Sequence, residues 1–226
     1  AGSGGGTSRT VDTTSAISAA NNTITQANIA ALAEGSAVVY KAAGNGAAVT
    51  IDTTSPLNNT ITHSTAHGFS TGDAVVYGAS GVALTGLTNG TTYFAIKVDD
   101  NSFKLATSYE NAVENQSVIS LTATNGSATD TFTPKNPLSG LQHGRTYYVA
   151  DPSGGAFKLS KSYSDATATT SRVIDIVASG GNASDAFIPT ADATDLDHGR
   201  TYYVIRSDAD NFKLATTLTN AVAGTN

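Results

Sequence analysis

Two short loops carry paired carboxylates, Asp99 and Asp100 in Val98-Asp99-Asp100-Asn101, and Asp208 and Asp210 in Ser207-Asp208-Ala209-Asp210-Asn211. Their oxygens suit Ca²⁺, which takes roughly 6 to 8 such ligands. The matching loop Asp151-Pro152-Ser153-Gly154-Gly155 has one carboxylate, so calcium accounts for two loops and turn chemistry for all three. His63 and His67 are four apart, a spacing that gives two metal ligands on a helix, but the residues around them read as strand and turn. His143-Gly144 and His198-Gly199 share their place with Asn89-Gly90, which favours a turn over a catalytic or metal-binding imidazole. In that turn the glycine and its predecessor are both expected at positive φ.

Serine, histidine and aspartate are all present, yet there is no G-x-S-x-G elbow, no H-E-x-x-H and no P-loop. With no cysteine there is neither a disulfide nor a thiolate metal site. No catalytic residue, resident metal or cofactor is expected, and an enzyme is the weakest of the readings. Asp73, Asp130 and Asp185 each begin an equivalent strand, where capping of turn amides is the expected role. Tyr93, Tyr147 and Tyr202 alternate with the aromatic assigned to the core, so they are expected on the opposite face as a ladder of phenols contacting the next unit or a glycan.

The elements that must position these groups come from a tandem repeat. The pattern G-x-T-Y-[YF]-[VA], six further residues and F-K-L-[AS] occurs at Gly90 to Ala106, Gly144 to Ser160 and Gly199 to Ala215. In each copy the first tyrosine and the phenylalanine are ten apart (Tyr93/Phe103, Tyr147/Phe157, Tyr202/Phe212). Alternation within the two runs gives two strands of a hairpin, with Lys104, Lys158 and Lys213 pointing outward as edge charges. Residues 1–6 read as a flexible linker or fusion scar, and residues 7–55 as a degenerate half-repeat with a capping or docking role. Repeat units follow at 56–114, 115–169 and 170–226. The half-repeat echoes the first unit, Val38-Val39-Tyr40 against Val75-Val76-Tyr77 and Asn21-Asn22-Thr23-Ile24-Thr25 against Asn58-Asn59-Thr60-Ile61-Thr62, but lacks a Tyr/Phe-Lys-Leu hairpin.

Composition agrees with β structure. Charged residues are 13% of the chain and threonine fills 34 of 226 positions, so the surface is polar with few charges. A net charge of −6 provides no footprint for nucleic acid or anionic lipid, and no apolar run is long enough to span a membrane. Units of about 55 residues bury too little surface to stand alone, so stacking on neighbours is expected. The fold class expected is all-β, in small sandwich-like or barrel-like units joined in series.

The run Asn59-Thr60-Ile61-Thr62, His67-Gly68-Phe69-Ser70-Thr71-Gly72-Asp73-Ala74-Val75-Val76-Tyr77, Gly86-Leu87-Thr88-Asn89-Gly90-Thr91-Thr92-Tyr93-Phe94 and Phe103-Lys104-Leu105-Ala106 resembles a β-strand repeat of very long bacterial surface proteins of adhesin type. Similar modules occur in phage tail proteins. The resemblance covers residues 56–226 and more weakly 11–55, and implies export, an elongated array and an adhesive or matrix role. Gly180-Gly181-Asn182-Ala183-Ser184-Asp185 is single and lacks the spacing of the calcium-binding nonapeptides that accompany such proteins. The expected function is an extracellular or cell-surface structural protein, a self-associating filament subunit or adhesin stalk. The alternatives are a module binding a glycan or host surface, with polysaccharide as partner, and a phage tail fibre component.

Overall fold

From Val38 to Lys41 and from Val75 to Gly78 buried and half-buried residues alternate, and Ala37-Val38-Val39-Tyr40-Lys41 and Ala74-Val75-Val76-Tyr77-Gly78 each become an inner strand of a sheet. The computed structural model describes residues 9–25, 32–51, 58–122, 126–177, 179–190, 196, 199–207 and 212–224. Its strands are β1 (Arg9–Val11), β2 (Ile17–Ser18), β3 (Thr23–Thr25), β4 (Ala37–Lys41), β5 (Val49–Thr50), β6 (Ile61–Thr62), β7 (Ala74–Gly78), β8 (Thr92–Lys97) and β9 (Ser102–Ala106). They continue as β10 (Thr131–Pro134), β11 (Thr146–Ser153), β12 (Ala156–Ser160), β13 (Asp185–Pro189), β14 (Tyr203–Arg206) and β15 (Phe212–Ala215). The helices are α1 (Tyr109–Val113), α2 (Tyr163–Ala166) and α3 (Leu218–Ala223). The chain is all-β.

A six-stranded sheet has the order β5-β10-β7-β8-β9-β6, and a seven-stranded sheet the order β1-β13-β4-β11-β12-β3-β2. The two follow one plan. Each Val-Val-Tyr strand lies between an Asp-Φ strand (β10 or β13) and the first strand of a Tyr/Phe hairpin (β8 or β11), all antiparallel. The sheets cut across the expected unit boundaries of 56, 115 and 170. The half-repeat in 7–55 supplies β1 to β4 to the sheet that holds the hairpin β11–β12, more than a hundred residues downstream, while residues 49–134 form the six-stranded sheet as an insertion between β4 and β11. The reason lies in complementary deficits. The first half lacks a hairpin of its own, and the hairpin at 146–160 lacks a Val-Val-Tyr strand, because β10, which precedes it, is already paired to β5 and β7. The two crossings between sheets run side by side, Gly46 N–H donating to Pro134 C=O at 2.8 Å and Asn136 N–H to Gly44 C=O at 2.9 Å.

The first two hairpins, β8–β9 and β11–β12, are buried on both faces. Tyr93, Ala95, Phe103 and Leu105 enter the main core of the six-stranded sheet with Tyr77 and Phe132, and Tyr147, Val149, Phe157 and Leu159 enter that of the seven-stranded sheet with Tyr40 and Phe187. Phe103 meets Phe132 edge-to-face at a centroid separation of 5.2 Å, and Phe157 meets Phe187 likewise at 5.6 Å. On the reverse face α1 covers Phe94 and Ile96 through Ala112, and α2 covers Tyr148 and Ala150 through Ala166. These one-turn helices were not expected. Their N-caps Ser108, Ser162 and Thr217 accept from the backbone N–H groups of Asn111, Asp165 and Asn220. The third hairpin, β14–β15, pairs only with itself among the described residues, with α3 beside it.

Candidate functional site

The expected tyrosine ladder is not on the surface for its first two members. Tyr93 and Tyr147 are interior, 6% and 0% exposed, and their hydroxyls accept from the backbone N–H groups of Thr88 and Gln142 at 2.8 Å. Tyr202 is half-buried with the Arg200 guanidinium over its ring. Alternation separates two faces of a strand without saying which is wet, and on the first two hairpins neither is.

The second aromatic of each pair touches the neighbouring element instead. A Cβ on Gly144 would lie 2.6 Å from the Phe94 ring of the six-stranded sheet, so only a glycine admits the ring there. Beside it the Arg145 guanidinium sits over the ring of Tyr109 in α1, 5.4 Å from its centroid. Gly199 meets Tyr148 in the same way, and Tyr148 occupies the place in its motif copy that Phe94 occupies in the first. Around a Cβ on Gly90, in the first copy, nothing lies within 4 Å.

Two buried tyrosine–aspartate locks were missed from sequence. Tyr77 Oη donates to Asp130 at 2.6 Å and accepts from Leu84 N–H at 2.8 Å; Tyr40 Oη donates to Asp185 and accepts from Leu138 N–H at the same two distances. Asp130 also accepts from Ser80 N–H, Ser80 Oγ and Ser127 N–H, and Asp185 from Ala43 N–H, Thr13 Oγ1 and Asn182 N–H. Both carboxylates are fully buried and tie loops of both chain halves to one point. Burial and then the bond to Asp130 raise the Tyr77 hydroxyl to about 12, and burial and then Asp185 raise that of Tyr40. Asp73, grouped with these aspartates in sequence, only caps its own turn by accepting from Ser70 N–H at 2.7 Å. The available signal was a Tyr repeated at the end of Val-Val and an Asp repeated before an aromatic strand.

In the Asn89-Gly90 and His143-Gly144 turns only the glycines have positive φ, 77° at Gly90 and 81° at Gly144. The preceding side chains interchange for another reason: Asn89 Oδ1 accepts from Ala79 N–H at 2.9 Å, and His143 Nδ1 from the equivalent Ala42 N–H at 3.0 Å. Burial, followed by the charges of Lys41 and Lys135, pushes His143 down to about 4 from its usual 6.5. The folded protein therefore keeps this ring neutral where the unfolded chain protonates it. Its contribution is complete above about pH 6.5 and is lost as the pH falls towards 4, up to about 3 kcal/mol. We predict that His143→Asn, which keeps an acceptor, narrows the drop in urea midpoint between pH 7 and pH 4.5; an unchanged drop would place the acid sensitivity elsewhere.

His67 is buried, its Nδ1 accepting from Phe69 N–H and its ring edge-on to Phe103. His63 bonds its own turn at Thr65. The hairpin-loop carboxylates are bound locally: Asp99 accepts from Asn101 N–H, Asp100 pairs with Lys97 at 2.7 Å, and Asp151 accepts from Lys158 and Ser171. Asp208, Asp210 and His198 lie outside the described residues. Lys104 and Lys158 are half-buried and Lys213 is exposed. Among the described residues no three His, Cys, Asp or Glu side chains gather to hold a metal, and no helix is long and apolar enough to cross a membrane. An open groove of about 370 Å³ lined by Lys161, Asp165, Arg172 and Asp175 has charges of both signs and no positioned nucleophile.

No protein-family model, curated protein or solved structure matches the chain.

Proposed function

We propose that the protein is an extracellular structural array, a filament subunit or adhesin stalk that associates with further copies of itself. The supporting observation is the turn-to-ring contact used twice in one direction, Gly144 on Phe94 and then Gly199 on Tyr148. A contact that joins unlike surfaces is heterologous, and it builds an open filament wherever its rotation does not close a ring. The same logic leaves one complementary pair over, the open turn at Gly90 and the half-buried ring of Tyr203. A low surface charge lets copies approach without strong repulsion.

Electron microscopy and sedimentation across a concentration series test the reading. Particles are expected to lengthen with concentration, and Gly90→Asn, which keeps the positive φ but fills the open space, is expected to shorten them, as is Tyr203→Ala. Short rods at every concentration would favour a passive stalk. A glycan array carrying the same protein separates the binding-module alternative.

A further inference from the structure

The third hairpin displays the face that the other two bury. Val204 and Phe212 are each 63% exposed, whereas the residues at the same places in the second copy, Val149 and Phe157, and in the first, Ala95 and Phe103, are 0% exposed. Ala215, on the opposite face, is 1% exposed, so the side towards α3 is formed and the side towards the main core is open. Covering that side in the seven-stranded sheet is the work of the half-repeat. There β4 pairs with Thr146 to Tyr148, β3 pairs with β12, Asn22 Oδ1 accepts from Ile176 N–H, and Tyr40 reaches Asp185.

The receiving strand is reproduced residue for residue. His143-Gly144-Arg145-Thr146-Tyr147-Tyr148-Val149 is identical to His198-Gly199-Arg200-Thr201-Tyr202-Tyr203-Val204. A segment that fits β11 therefore meets the same side chains at β14. The described residues hold three such hairpins and two Val-Val-Tyr halves, both already engaged, and a second copy would fill the vacancy only by opening one of its own sheets.

We propose that β14–β15 is an acceptor for strand complementation, and that its occupant is a half-module of the Arg9–Lys41 kind carried by a different polypeptide. It would add an Ala-Val-Val-Tyr strand antiparallel to β14 in the β4–β11 register, with its tyrosine entering the core over Phe212 and Leu214. Main-chain bonds provide affinity and the alternate side chains specificity. This goes beyond self-association, because it specifies a partner that copies of the chain do not themselves contain in free form.

The probe is a synthetic peptide of residues 9–48 added to the intact protein. Native mass spectrometry is expected to show one peptide per chain, hydrogen exchange to show new protection at 201–204, and Phe212→Asp to weaken binding at least tenfold while leaving the exchange of 146–160 unchanged. A peptide with Val38→Asp and Tyr40→Asp is expected not to bind. Absence of a complex, or binding indifferent to Phe212→Asp because the peptide displaces its counterpart from β11, overturns the proposal. So does a peptide-resistant dimer that buries Phe212 between two copies. Of these outcomes only the dimer involves self-association, and it stops at two copies where an array goes on lengthening with concentration, so the array reading stands or falls separately.

Discussion

Asp130→Ala is expected to destabilise the six-stranded sheet by about 3–5 kcal/mol, because it strands the buried Tyr77 hydroxyl together with Ser80 N–H and Ser127 N–H. Each orphaned buried donor costs about 1–3 kcal/mol, and water recovers part of that at the more exposed loop positions. Tyr77→Phe removes one donor and the acceptor for Leu84 N–H, for which about 1–3 kcal/mol is expected. Since the two groups act on each other, the double variant should cost clearly less than the sum. Urea unfolding gives the totals, and hydrogen exchange localises them to β5–β10. Additive losses, or an Asp130→Ala cost under about 1 kcal/mol, would refute the idea of a lock. The same carboxyl links the sheet to acid. Burial pushes its pKa up, but the hydrogen bonds from Tyr77, Ser80 and Ser127 outweigh burial and leave it below the ordinary value. Its stabilisation is thus complete above the unfolded value near 3.8 and is lost as the pH falls through the lower folded value.

The three phenylalanines of the F-K-L motif should respond very differently to the same substitution. Phe103→Ala and Phe157→Ala each empty a fully buried site lined by other aromatic rings, and a loss of about 3–5 kcal/mol is expected. Phe212→Ala removes a ring that is mostly in water, so a change within about 0.5 kcal/mol is expected. Chemical denaturation of the three variants side by side decides the matter. Equal losses would mean that the third hairpin is packed as the others are.

Much of this architecture was readable from period and spacing. The hairpin strands, the turn loops of the first two hairpins and the inner Val-Val-Tyr strands stand where alternation and turn residues put them, because strand period and turn chemistry are local properties. What was not readable is long-range choice. Val38-Val39-Tyr40 and Val75-Val76-Tyr77 are the same word, and nothing local tells either strand which hairpin to join; loop reach and prior occupancy decide it. The face of Tyr93 was misassigned for a related reason: α1 wets neither side of β8, and a helix of five residues is too short to show a period. Ser108-Tyr109-Glu110-Asn111 did carry a capping serine three residues ahead of its partner, which was the one local sign. The Asn/His exchange before Gly90 and Gly144 looked conformational and proved to be a shared acceptor role, because both side chains present a lone pair at similar reach.

The nesting of one sheet inside the other also fixes how tension would travel through the molecule. Residues 42–48 and 134–138 cross side by side, and at the far end Arg9 of β1 lies opposite Phe187 of β13, so the chain enters and leaves the outer sheet at neighbouring points. A pull applied at residues 9 and 190 bears on the β1–β13 seam, whose antiparallel bonds open one after another like a zip. The inner sheet, an insertion in the chain between those two points, is bridged by the hydrogen bonds of the outer one and remains slack until they have come apart.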